Sequence, residues 1–101
     1  MDKTERDFRQ FHADYSAIYD LFCKYTLQAI KAGQKNYSAR AIFHRIRWFT
    51  QIETRMDHKF KINNNYSPYY ARMFARDYPA HKDFFRFREA NADHVPLPVV
   101  P

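Results

Sequence analysis

An apolar stripe marks the first long helix that the chain predicts. In the segment DYSAIYDLFCKYTLQAIKAGQ, apolar side chains recur three or four residues apart, and Leu21 widens the stripe. This spacing places them on one face of an α-helix. Lys31 falls in the last turn, and Gly33 stands where a left-handed C-cap is favoured. The pattern therefore predicts a helix over about residues 14–32.

A second helix, with two distinct faces, is predicted in YSARAIFHRIRWFTQIE. Ser38 is a suitable N-cap because its hydroxyl can accept a hydrogen bond from a backbone N–H that lacks a helical partner. At 100° per residue the polar side chains cluster on one face, opposite a narrow apolar face. The polar face consists of Arg40, His44, Arg47 and Gln51. Trp48 and Ile52 extend the other side toward the predicted core.

The helical period is lost after this helix, in TRMDHKFKI. Phe60 and Ile62 alternate with lysines, which is the period of a half-buried strand. The most economical arrangement is a small β-hairpin. It would pair residues 52–56 with residues 59–62 around the Asp57-His58 turn.

The segment FKINNNYSPYYARMFAR joins this strand to a third helix. Asparagine tolerates left-handed backbone and bonds its own main chain in sharp turns. Ser67 followed by Pro68 combines an N-cap with proline at the first helical position, and Pro79 ends the helix after Tyr78. The run of asparagines exceeds what one turn needs, which leaves open a ligand contact from Asn63 or Asn64.

Shorter elements are predicted near both ends of the chain. Phe8 and Phe11 indicate a short helical turn that folds back on the core, and HKDFFRFREA a last short helix. The fold class is mainly α: three main helices with a small β-hairpin, like a helix-turn-helix or winged-helix module. Residues 1–90 form the predicted single helical domain, and residues 91–101 a proline-rich tail that is extended or disordered.

Composition narrows the class of protein. A chain of 101 residues with 46% hydrophobic residues, rich in Phe and Tyr, suits one folded domain with an aromatic core. A single glycine disfavours an all-β fold and glycine-rich phosphate loops. One cysteine excludes an internal disulfide. The charged N-terminus and the lack of a long apolar run predict a cytoplasmic protein with no membrane partner.

Catalytic and metal-binding interpretations find little in the sequence. The five histidines share no ligand spacing, and Asp57-His58 with the following asparagines resembles a His-Asn-His nuclease only faintly, because His81 is wrongly spaced. Cys23 lies near an apolar stripe, which favours core packing over nucleophilic chemistry. We therefore predict a protein that is not an enzyme and needs no cofactor or metal.

The positive charge is concentrated in the middle of the chain. Residues 40–76 carry eight Lys or Arg against two acidic residues, whereas the two flanking regions are nearly neutral. A concentrated positive field favours a polyanionic or acidic partner. The predicted nucleic-acid-binding residues are Arg40, His44, Arg47, Arg55, Lys59, Lys61, Arg72 and Arg76. The second helix would enter a groove, and the other residues would hold phosphates.

Two uses of the third-helix tyrosines stay open at this point. Tyrosines interleave there with Arg72 and Arg76, an arrangement in which exposed rings can stack on the bases of a single strand. Alternatively, Tyr66 and Tyr70 are core residues with hydroxyls at the surface.

The linked patterns AIFHRIRW, FKINNNY, YYARMFARDYP and DFFRFR resemble a family of small uncharacterised proteins of bacteria, tailed phages and prophages. The resemblance covers about residues 37–88. It implies a bacterial or phage cytoplasm and a small accessory or regulatory protein, and it assigns no catalytic residue. The basic residues named above, rather than the resemblance, lead us to predict a DNA-binding module. The alternative is a phage-derived inhibitor or adaptor that binds an acidic surface of a host or phage protein. The oligomeric state stays open.

Overall fold

A computed structural model of the chain describes residues 3–54 and 62–85, and the described part is mainly helical. No strand occurs within these two ranges. The described residues form four α-helices: α1 (Lys3–Asp14), α2 (Ser16–Lys31), α3 (Ala39–Trp48) and α4 (Ser67–Asp77). The fourth helix is α1, at the place where the sequence predicted only a short turn.

The chain breaks between α1 and α2 at a single residue, Tyr15. Its backbone leaves the helical region with φ −133° and ψ 51°. The Tyr15 N–H still donates to the Phe11 carbonyl (2.8 Å), and the Ile18 N–H donates to the Tyr15 carbonyl (2.9 Å). The turn predicted around Phe11 is therefore a full helix of 12 residues, and Asp14 belongs to it.

The predicted end of α2 is confirmed. Gly33 has φ 97°, a left-handed conformation that a side chain would strain. Its N–H donates to the Ile30 carbonyl (3.0 Å), and the Gln34 N–H donates to the Ala29 carbonyl (3.1 Å). This pair of bonds is the Schellman arrangement, in which otherwise orphaned helix carbonyls find donors. Residues 32–38 then lead to α3.

The start of α3 is as predicted, but the hairpin after it is not observed. The Ser38 hydroxyl accepts from the Ala41 N–H at 3.4 Å. Beyond Trp48 the chain continues as a wider π-helical turn, Phe49–Glu53, closed by the Thr54 N–H on the Phe49 carbonyl (2.9 Å). Residues 52–54 are thus helical or turn where the first hairpin strand was expected. The remainder of that prediction, residues 55–61, lies outside the described residues.

A compact joint, residues 62–66, leads into α4. Ile62 is buried, and Asn64–Tyr66 form one 3-10 turn. The Asn63 side chain accepts from the Asn65 N–H (2.9 Å), whereas the Ser67 hydroxyl donates to the Asn64 carbonyl (2.9 Å). Asn63 therefore caps this entrance, and the predicted capping role of Ser67 is wrong.

The end of α4 agrees with the prediction. The helix closes at Asp77, and a 3-10 turn, Pro79–His81, follows Tyr78. Residues 81–85 do not continue as the predicted last α-helix, although Phe84 and Phe85 are both buried. The rest of that predicted helix, residues 86–90, and the tail lie outside the described ranges.

The core is aromatic, as the composition predicted. The Phe8 ring of α1 lies 4.7 Å from the Tyr69 ring and 5.0 Å from the Tyr70 ring of α4, centroid to centroid. Phe22 of α2 meets Phe43 of α3 edge-on at 5.9 Å. Such pairs add about 0.5–1.5 kcal/mol each beyond the area they bury. The four helices are thus joined through one aromatic cluster, and one side of α3 faces the solvent.

Candidate nucleic-acid interface

The solvent-facing side of α3 carries two of the predicted binding residues in an accessible form. Arg40 and His44 are both exposed, and neither side chain has a hydrogen bond or ion pair within the described ranges. No acidic residue occurs in the sequence between Asp20 and Glu53. The field of this helix is therefore positive, and its two cationic or hydrogen-bonding groups are available to an external partner.

Arg47 was predicted on the same face, but the structure gives it an internal role. Its guanidinium donates to the Ile62 carbonyl (2.5 Å) and to the side-chain oxygen of Asn64 (2.6 Å). Charge-assisted bonds of this kind are among the stronger ones in proteins. Arg47 therefore holds the 62–66 joint against α3, and its guanidinium is not among the basic groups available to an external partner.

Arg45, on the flank of α3, is also engaged internally. Its guanidinium carbon lies 4.5 Å from the centre of the Tyr25 ring, over the ring face, and its nitrogens lie 3.4 Å from a Glu53 carboxylate oxygen. A cation over an aromatic face gains about 0.5–1 kcal/mol at an exposed site. Burial raises the pKa of Tyr25, and the Arg45 charge opposes that increase. Arg45 thus closes the side of α3 that faces α2.

Trp48 and Ile52 correct the predicted orientation of this helix. Both were expected to extend the apolar side toward the core, yet Trp48 is 56% exposed and Ile52 is 54% exposed. The helix buries Ile42, Phe43 and Ile46, of which Ile42 and Ile46 belong to the narrow apolar face predicted from the sequence. The α3 outer face is defined from here on as Arg40, His44, Trp48, Gln51 and Ile52, all of them exposed.

The arginines predicted on α4 occupy a different environment. Arg76 lies 2.8 Å from the Asp77 carboxylate, whose other oxygen accepts the Tyr19 hydroxyl at 2.6 Å. These two partners hold the pKa of Asp77 below its usual value, Arg76 having the larger effect. Arg72 is half-buried and interacts within the protein. Both predicted arginines of α4 therefore have partners within the protein, although Arg76 itself is exposed.

The α4 tyrosines are core residues. Tyr69 is 3% exposed and Tyr70 is 0% exposed, so neither ring can stack on a base. The Tyr70 hydroxyl is itself buried and has no hydrogen-bond partner within the described residues, contrary to the expectation that it reaches the surface. Burial accordingly raises the pKa of Tyr70 above its ordinary value.

Most of the asparagine run, residues 63–65, is used for hydrogen bonds within the protein. Asn63 caps the 3-10 turn and Asn64 accepts from Arg47, so two of the three side chains have structural partners. Asn65 is exposed. The remaining predicted contacts, Arg55, Lys59 and Lys61, lie outside the described residues.

An open groove of about 490 Å³ lies between α2 and the end of α4. Cys23 borders it, and burial raises the pKa of this thiol to about 11. The thiol therefore stays protonated near neutral pH, the state expected of a small core residue. Within the described ranges no three His, Cys, Asp or Glu side chains cluster as metal ligands would.

Two general findings complete the description. No helix in the described part of the chain is both long enough and apolar enough to span a membrane. Comparison with protein-family models, with curated proteins and with solved structures gives no match to this chain. The resemblance to small bacterial and phage proteins therefore stays a prediction.

Proposed function

We propose that the chain is a small module that binds DNA through the α3 outer face. One observation carries the proposal: Arg40 and His44 are exposed, neither has a hydrogen-bond or ion-pair partner within the described residues, and no acidic residue is near them in sequence. The other two arginines of α3 already have internal partners: Arg45 contacts Glu53, and Arg47 donates to Asn64 in the 62–66 joint. Side chains left uncommitted in this way are available to phosphate oxygens.

The basic set is smaller than the sequence alone suggested. Arg47 acts as a positioning residue, because it fixes the joint and thereby the end of α3. Residues 32–38 separate α2 from α3, which is longer than the turn of three or four residues in a helix-turn-helix motif. The proposal therefore depends on the α3 outer face itself and not on a helix-turn-helix.

The setting follows from the sequence resemblance alone. A bacterial or phage cytoplasm would provide DNA as the polyanion, and the protein would be an accessory or regulatory factor without enzymatic activity. A positive helix face suits such a role because phosphate contacts supply affinity and fast association without requiring catalysis.

Fluorescence anisotropy with labelled oligonucleotides at low salt tests the proposal. We expect binding by the full chain and clear weakening in the double variant Arg40→Gln with His44→Gln. Arg6→Gln is a matched control, because Arg6 is exposed on α1 and no hydrogen bond or ion pair of its side chain occurs within the described residues. Absence of binding to both single-stranded and duplex DNA, or equal weakening by Arg6→Gln, would refute the proposal.

A second candidate function has its own supporting observation. Trp48 and Ile52 are exposed on the same face as Arg40. Trp and Arg are enriched among the residues that contribute most of the binding energy in protein interfaces. The chain would then be an inhibitor or adaptor on an acidic host or phage protein. Affinity purification after nuclease treatment separates the two, since a stoichiometric partner that resists nuclease supports this role.

A further inference from the structure

We propose, on the basis of the DNA-binding function above, that the α3 outer face selects unpaired nucleic acid, with Trp48 stacking on an exposed base. The proposal names the class of ligand for this face. It arises from the juxtaposition of an exposed indole with Arg40 and His44, which have no partner within the described residues.

The indole lies where a strand bound to Arg40 and His44 would pass. Trp48 is the last residue of α3 and lies four residues after His44, so the two side chains occupy adjacent turns of one face. Arg40 lies one further turn toward the N-terminus. From Arg40 to Trp48 the helix rises about 12 Å. A strand that follows α3 would thus meet two polar groups and then an aromatic ring.

Phosphate contacts by Arg40 and His44 would not explain why an exposed indole lies beside them. Arg40 and His44 can bind the backbone of any nucleic acid, because phosphates carry no sequence or strand information directly. The indole instead offers a flat apolar surface, which is 56% exposed as a residue. In a duplex the base faces are covered by stacking. An unpaired base offers a free π-face, and stacking of such a base on an aromatic side chain is favourable for every base.

The other aromatic residues restrict where stacking can occur. Tyr69 and Tyr70, the stacking candidates of the sequence, are enclosed in the core. Tyr37 is 45% exposed and immediately precedes the Ser38 cap of α3. Exposed aromatic rings therefore precede Arg40 at one end of the helix and follow His44 at the other, which suits a single strand lying along α3.

Charge favours a nucleic acid over a protein as the occupant of this face. The α3 outer face combines positive charge with an indole and carries no acidic side chain. Proteins that bind single strands without sequence preference use this combination of cationic groups and aromatic platforms. A protein anchored on Trp48 is the competing outcome of the test below.

The chain has one tryptophan, so its emission reports on Trp48 directly. We would titrate the full chain at low salt with a labelled oligo-dT strand and with a DNA hairpin duplex closed by a non-nucleotide linker, which offers no unpaired base, and follow label anisotropy and Trp48 emission together. We expect oligo-dT to quench the emission with the same midpoint as the anisotropy change. The hairpin should bind more weakly and leave the emission nearly unchanged.

Variants at the same position give the second measurement. Trp48→Ala should weaken oligo-dT binding about five- to a hundred-fold and change hairpin binding less than about twofold. Trp48→Phe, which keeps a ring, should retain most of the affinity. Helix content measured by circular dichroism checks that both variants fold, which their exposed position favours.

The outcomes separate this inference from the function on which it depends. If neither oligonucleotide binds, DNA binding itself is refuted, and this inference with it. If both bind but Trp48 emission does not change, or Trp48→Ala weakens both equally, only the single-strand inference is overturned. If Trp48→Ala leaves every oligonucleotide affinity unchanged, the indole does not serve a nucleic acid, and a protein partner becomes the explanation for its exposure.

Discussion

Arg40 and Arg47 lie two turns apart on α3, yet they belong to two different regions of the molecule. Arg40 is part of the α3 outer face and has no partner within the described ranges. Arg47 donates to Ile62 and Asn64 across the joint. The angular position around the helix is nearly the same for both residues. The difference is that the 62–66 joint packs against the Arg47 end of this polar face and leaves the Arg40 end exposed.

This difference shows how the fold distributes its polar groups. A helical projection gives the direction in which each side chain points. Whether that side chain makes internal contacts or stays exposed depends on which other segment packs against that part of the helix. The joint is distant in sequence from α3 and close in space. Interior polar residues should therefore determine stability, and residues of the outer face should determine binding with little effect on stability.

The largest expected effect is at the joint. Arg47→Met keeps much of the side-chain length but removes both hydrogen bonds, leaving the Ile62 carbonyl without its charged donor. We expect the free energy of unfolding to fall by about 2 kcal/mol, which lowers Tm by about 10 °C. Urea denaturation followed by circular dichroism measures it. The matched control is Arg40→Met, expected to stay within about 0.5 kcal/mol of the unmodified chain.

Equal stability of the two methionine variants would contradict the distinction between the regions. It would mean that Arg47 contributes no net stability through the joint, and Arg47 would return to the set of candidate binding residues.

A smaller effect is expected at the other side of the same contact. Asn64→Ala removes one acceptor of Arg47 but leaves the Ile62 carbonyl in place, so we expect a loss of about 1 kcal/mol. In a double-mutant cycle, Arg47→Met and Asn64→Ala should show a coupling of at least about 0.5 kcal/mol. Strictly additive losses would indicate that the bond between these side chains is not maintained in solution. Asn65→Ala, at an exposed neighbour, serves as the control.

His12 gives a third, pH-dependent test of the interior. The residue is 4% exposed, and neither ring nitrogen has a hydrogen-bond partner within the described residues. Burial is the main cause that lowers its pKa, the Arg76 charge adds to the effect, and Asp20 opposes it. Tyr19 of α2 and Tyr70 of α4 also face the imidazole.

The sign of the pH effect follows from that direction. The unfolded chain binds a proton at His12 near pH 6.5, whereas the folded chain resists it to lower pH. The contribution to stability is complete above about pH 6.5 and decreases as the pH falls through the folded-state pKa. His12→Gln should flatten the stability curve between about pH 7 and 5, and the exposed His44→Gln should not. An unchanged slope in His12→Gln would disprove the role of His12.

Local signals explain what could be predicted from the sequence. The Gly33 cap, the Ser38 cap and the end of α4 each depend on residues within a few positions, and each is observed. The burial of Cys23 also follows from an apolar stripe within one helix.

The errors concern contacts between distant segments or a change of helical period. The partner of Arg47 lies 15 residues away, and no local pattern reveals it. Trp48 and Ile52 were assigned to the buried side, yet the helix buries Ile42, Phe43 and Ile46 and then widens into a π-helical turn after Trp48. That turn also includes residues 52 and 53, which were predicted to begin a strand. An alternating pattern over only a few residues is weak evidence for a strand where a helix can simply continue. The indole has a simpler explanation: at 100° per residue Trp48 lies about 40° from His44 and about 160° from Ile46, so regular α-helix geometry already places it on the polar side.

The smallest expected effect on stability, and the sharpest on function, is at Arg40. Arg40→Gln should leave the free energy of unfolding within about 0.5 kcal/mol, because Arg40 is exposed and has no hydrogen bond or ion pair within the described residues to lose. If Arg40 neutralises one phosphate, the slope of log affinity against log salt should become shallower by about 0.7 for a single strand or 0.9 for a duplex. Anisotropy titrations at several salt concentrations measure this slope. Arg47→Gln, by contrast, should keep the slope of the unmodified chain wherever it remains folded. The reverse result, with Arg47 changing the slope and Arg40 not, would mean that the joint opens on binding and that the two regions exchange their roles.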